Sequence, residues 1–187
     1  MSSEEKKKLE DKLWFTYKAR IRAEERLRGN DFHSQLILVL YALVSAILSV
    51  IVIRYPSILG KNTELVSACL GIALLVISLL VTNRDFRGRA LAMKQNYLDI
   101  QSLFNELTLR DSPARPLPEI AESYQKILAE SENHSETDYK YFRVFQKTNK
   151  PASKQEILGV YFYIVRRFLI LAVIYLLPFL TLMILAV

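Results

Sequence analysis

Few residues in this chain are suited to catalysis. There is one cysteine, Cys69, so no disulfide can close within the chain and no cysteine pair exists for zinc. Two histidines, His33 and His134, are too few for a histidine-rich metal site. The five glycines (29, 60, 71, 88 and 159) never cluster, which excludes a phosphate-cradling loop. The acidic residues of 84–167 lie among basic ones and read as solvated ion pairs. An enzyme is therefore not expected, and neither a metal nor a cofactor is expected.

Charge is missing altogether from three stretches: residues 34–53, 65–83 and 168–187. Each matches the roughly 20 apolar residues that a helix needs to cross about 30 Å of hydrocarbon. The expected fold is all-α: an integral membrane protein with three transmembrane helices, an amphipathic N-terminal helix and a helical cytoplasmic domain. The expected domains are 1–30 (N-terminal helix), 34–83 (transmembrane hairpin), 84–167 (helical cytoplasmic domain) and 168–187 (C-terminal transmembrane helix). No apolar region precedes the first run, so a cleaved secretory signal is not expected.

Lys and Arg near the spans set orientation. Lys18, Arg20, Arg22, Arg26 and Arg28 precede the first span; Arg84, Arg87, Arg89 and Lys94 follow the second; Lys150, Lys154, Arg166 and Arg167 precede the third. The loop 54–64 has only Arg54 and Lys61. The N-terminus and 84–167 are expected in the cytoplasm of a bacterial inner membrane, and the C-terminus outside. The formal charge of +6 then faces the cytoplasm, towards anionic lipid or an anionic ligand.

Residues 4–28 read as a helix with Leu9, Leu13, Tyr17, Ile21 and Leu27 on its apolar face. Gly29-Asn30-Asp31 is expected to stop it. Beyond the second span, Ala90, Met93, Tyr97, Ile100, Phe104 and Leu107 form a heptad-like stripe. One unbroken helix over 64–109, about 70 Å long, is expected there, with the stripe as a place for self-association. The prolines of 111–118 break it, and Pro118 starts the next helix. A short helix over 139–145 is expected, then a break over 147–151. The Ser153–Glu156 capping box opens the last helix, which runs through Arg166 and Arg167 into the third span.

Lys18, Arg22 and Arg26 recur at i, i+4, i+8 on one face, and with Arg20 they are the candidate site for a nucleotide or short nucleic acid. Anionic lipid binding or simple topology setting would use the same charges. In the spans, Ser45 and Ser49 share a face with Tyr41, and Ser67 and Ser78 share one with Gly71 and Thr82. Small residues at this spacing serve either close helix packing or a pore lined by Ser45, Ser49, Ser67 and Ser78. Pro178, mid-span, frees the carbonyl of Ile174 and is a candidate gate hinge. The uncharged spans disfavour a proton-coupled transporter.

The string Trp14-Phe-Thr-Tyr-Lys-Ala-Arg-Ile-Arg-Ala-Glu-Glu-Arg-Leu27, the paired spans, then Arg87-Gly-Arg89 and Asn96-Tyr-Leu-Asp-Ile-Gln-Ser-Leu-Phe-Asn-Glu-Leu107 resemble the SLATT family, the two-span effector modules of bacterial anti-phage systems. The patterned positions are Trp14, Tyr17, Lys18, Arg20, Ile21, Arg26 and Tyr97. The resemblance implies a homo-oligomeric pore, expected to be a tetramer in membrane lipid. It is controlled by a nucleotide or short nucleic acid from a partner nucleotidyltransferase, and it depolarises the membrane of the infected cell (abortive infection). The third span departs from the two-span pattern. The rival expectation is a membrane-anchored adaptor whose cytoplasmic helices recruit a signalling partner.

Overall fold

The computed structural model describes residues 3–58, 60–109, 115–146, 148 and 151–185. Among them are six helices and no strand: α1 (Ser3–Arg54), α2 (Thr63–Asn83), α3 (Phe86–Thr108), α4 (Leu117–Ala129), α5 (Glu136–Phe145) and α6 (Lys154–Leu185). The expected breaks at 111–114 and at 147, 149 and 150, and the last two residues of the third run, lie outside the described residues. The chain divides into two compact units, Met1–Gly29 with Phe86–Phe162, and Asn30–Asp85 with Tyr163–Val187.

The first unit is built on the apolar face of α1. Leu13 and Tyr17 pack with Ile100, Leu103 and Leu107 of α3 and with Ile120 and Tyr124 of α4. Two to three turns further on, Ala23 and Leu27 pack with Ala90 and Met93. Burying such side chains stabilises by about 1.5–3 kcal/mol each, which is what holds short helices such as α4 and α5 in place. This packing corrects the expected role of the α3 stripe. Ala90, Met93, Ile100 and Leu107 are buried inside the chain and offer nothing to a second copy.

Local signals place the other elements. Pro118 is the second residue of α4, where its missing N–H costs nothing. Ser135 caps α5 through a reciprocal box with Asp138. Ser153 and Glu156 do the same for α6: the Ser153 N–H donates to the Glu156 carboxylate (2.7 Å) and the Glu156 N–H to Ser153 Oγ (3.2 Å).

Two boundaries differ from expectation. Gly29 does not stop α1, since the left-handed glycine is Gly60 and not Gly29. A single helical glycine costs only about 1 kcal/mol, and Leu27 in the core and Asn30 bonded to Arg167 (2.9 Å) outweigh it. The expected continuous helix over 64–109 is interrupted. The N–H groups of Arg84 and Asp85 bond to carbonyls three residues back, and Asp85 takes φ 41°, a left-handed conformation that aspartate tolerates better than most residues.

In the second unit, three helices are long and apolar enough to cross a membrane. Almost none of their most apolar residues are buried within the chain.

Candidate functional site

The basic residues of α1 do not form an open row. Arg20 is fully buried. Its Nη1 donates to Ser131 Oγ (2.9 Å) and its Nη2 to Asn133 Oδ1 (3.3 Å), while its Nε is buried without a partner. Those acceptors are neutral, and burial pulls the Arg20 pKa below its usual range. Arg26 makes a fork to Asp138, Nε to Oδ1 at 2.9 Å and Nη2 to Oδ2 at 3.0 Å. Asp138 is itself buried, and its Oδ2 also accepts from the Ser135 N–H (3.0 Å) and hydroxyl (2.7 Å). Arg22 lies over the Tyr141 ring, 3.6 Å from its centroid, and donates to Glu25 (3.0 Å). Lys18 lies over Tyr17 at 5.1 Å.

Arg20, Arg22 and Arg26 therefore clamp the segment from Ser131 to Tyr141 onto α1. The even spacing read as an outward ligand face is corrected in this respect, because Arg20 and Arg26 are committed to internal acceptors. Lys18 and Arg22 remain half-exposed. His134 sits in the clamped segment. Burial, and next the Arg20 charge, hold its pKa below the usual histidine range against the opposing pull of Asp138. Its Nδ1 is buried and unpartnered.

In the spans, Tyr41 donates from its hydroxyl to the carbonyl of Ile174 at 2.9 Å. That is the carbonyl Pro178 deprives of its helical N–H. In lipid an orphan carbonyl has no water to turn to, so Tyr41 supplies from α1 the donor that α6 lacks. Pro178 is buried, and with Tyr41, Ser45, Leu48 and Leu74 it lines a cavity of about 150 Å³. His33 Nδ1 lies 3.1 Å from the Tyr175 hydroxyl.

The four serines are only partly brought together. Ser49 Oγ donates to the Ser45 carbonyl (2.9 Å) and lies 3.5 Å from Ser67 Oγ. Ser78 donates to the Leu75 carbonyl of its own helix (2.8 Å). Such back-bonding lets a serine sit in an apolar setting without water.

The family model described as SMODS and SLOG-associating 2TM effector domain family 5 matches residues 2–184. The chain belongs to this SLATT family. No curated protein and no solved structure matches it. SLATT is a family of membrane effector domains described by their association with SMODS and SLOG. The family description has two spans, whereas this SLATT chain has, among the described residues, three helices long and apolar enough to cross.

Sequence reasoning missed Ser131, Asn133 and Asp138 as partners of the arginines. The Ser135–Asp138 capping pattern was the one local signal available.

Proposed function

We propose that this chain is the pore-forming effector of an anti-phage system, a homo-oligomer that conducts ions when a nucleotide signal from a partner nucleotidyltransferase reaches its polar unit. The observation that carries this reading is the emptiness of the spanning unit. Three uncharged helical stretches leave nearly all their apolar residues uncovered within one chain, which supports their being covered by lipid and by further copies. Three helices cannot enclose a water-filled path, and a pore therefore needs several chains, which we take as four. The basic flanks support a cytoplasmic N-terminus in the inner membrane.

In this reading, the Ser45–Ser49–Ser67 group and Ser78 supply polar steps along the path. The Tyr41–Ile174 bond braces α6 at Pro178, so that the hinge yields only when Tyr41 lets go. The 131–141 segment, held by three arginines, couples the polar unit to the ligand.

The test is a voltage-sensitive dye in bacteria expressing the chain alone and with its neighbouring nucleotidyltransferase. Depolarisation that depends on the neighbour is the expected result. A full-length, membrane-inserted chain that leaves the potential untouched in both strains would replace the pore by the adaptor.

A further inference from the structure

Arg20 and Arg26 are engaged internally; besides Arg28, which lies near Glu24 (3.7 Å), α1 carries exposed cations at Lys8 and Lys12 near its start. Lys8, Asp11, Lys12, Phe15 and Thr16 share one face at i, i+3, i+4, i+7 and i+8. With Tyr139 of α5 they line an open cleft of about 370 Å³, at the lower end of the range of small-ligand sites.

The chemistry of the cleft is divided. Lys8 and Lys12 are exposed at one end. Lys8 is already paired with Glu4 (2.6 Å), whereas Lys12 has no carboxylate within ion-pair distance among the described residues. Phe15 and Tyr139 are half-buried, with ring centroids 6.0 Å apart and planes inclined at 53°. They are held from behind: Phe15 packs edge-on against Trp14 (4.9 Å) and Phe142 (6.0 Å), and Arg143 lies 5.4 Å from the Tyr139 centroid. Asp11, between the lysines and the rings, is an acceptor.

We propose that this cleft is a nucleotide site. Lys12, with Lys8, takes phosphate, Asp11 accepts from a ribose hydroxyl, and the base stacks on Phe15 and Tyr139. The proposal rests on the nucleotide control set out above and gives it a location. Tyr139 belongs to the same α5 that Arg26 and Arg22 hold, so occupancy of the cleft bears directly on the clamped segment.

Trp14 is the chain's single tryptophan and touches Phe15, so its fluorescence reports on the cleft. The full chain in detergent is titrated with ATP and with cyclic di-AMP as probes, and with tripolyphosphate as the anion lacking a base. Saturable quenching by a nucleotide is expected. Lys12→Glu should weaken it about tenfold or more, and Phe15→Leu about fivefold. Arg87→Glu, an exposed charge of α3 outside the cleft, should leave it unchanged. The proposal is overturned if neither nucleotide saturates, if tripolyphosphate does as well, or if Lys12→Glu binds like wild type with an unaltered melting curve. Binding is read without any current. A chain that binds but never depolarises cells removes the pore and keeps the site, and a chain that depolarises cells with an inert cleft does the reverse.

Discussion

If Arg26 is a clamp and not a free ligand contact, its loss must cost stability before any ligand is added. Breaking a buried ion pair costs about 3–5 kcal/mol. Arg26 keeps a 21% exposed side chain, and Asp138 keeps its two bonds from Ser135, so Arg26→Ala should fall below that range, at about 2 kcal/mol. Asp138→Ala removes the same fork and also the α5 capping box, a further contribution of about 1 kcal/mol, giving about 3 kcal/mol. The double variant should show a coupling of about 1–2 kcal/mol. For a chain of this length each kcal/mol moves Tm by about 2–4 °C, so Arg26→Ala should melt about 4–8 °C early in detergent. Amide exchange should accelerate over residues 131–146 before it does over α3. Arg26→Lys should rescue little, since a point charge cannot replace the two-pronged contact. An Arg26→Ala chain that melts with wild type and keeps its α5 protection would refute the clamp.

Two other outcomes follow from named contacts. Tyr41→Phe leaves the Ile174 carbonyl without its donor and should lower Tm by an amount worth about 1 kcal/mol; in a Pro178→Ala background, where the backbone N–H returns, the same change should be nearly neutral, and an equal cost in both backgrounds refutes the pairing. His134 is held neutral in the fold, so as pH falls the unfolded chain takes the proton first; its contribution is present above roughly pH 6.5 and is lost as pH drops through that value towards the depressed folded pKa. His134→Gln should flatten that limb of a Tm-against-pH curve, and an unchanged slope refutes the assignment.

What could be read from the sequence divides by range. The spans, the Ser153 cap, the Pro118 start and the apolar face of α1 depend on residues within about a turn or two of one another, and each appears where local chemistry puts it, whereas α5 begins at Glu136, three residues before the expected 139, because Ser135 and Asp138 cap it. The stripe from Ala90 to Leu107 was visible as apolar, but its partner was not. Periodicity says that a face is buried and is silent on whether a neighbouring helix or another copy buries it. Gly29 and Asp85 show the same limit at helix ends. Glycine permits a stop without requiring one, and an Asn-Arg-Asp sequence carries no strong stop signal yet turns left-handed when the flanking helices ask for it.

The basic row and Pro178 expose the limit most sharply, because in both the sequence names one half of an interaction. Spacing put Lys18, Arg22 and Arg26 on one side of a helix but could not reveal that Asp138, 112 residues away, had taken Arg26. Pro178 fixed which carbonyl had to find a new donor, and the candidates were every hydroxyl in the spans. Tyr41 is 133 residues from Ile174 and reaches its backbone carbonyl with a long phenol side chain. Ser49 on the same face bonds back to the Ser45 carbonyl of its own helix and meets only another hydroxyl, Ser67, across helices, whereas Tyr41 reaches a backbone carbonyl of α6. A hinge motion at Pro178 would therefore have to break or move the Tyr41 bond.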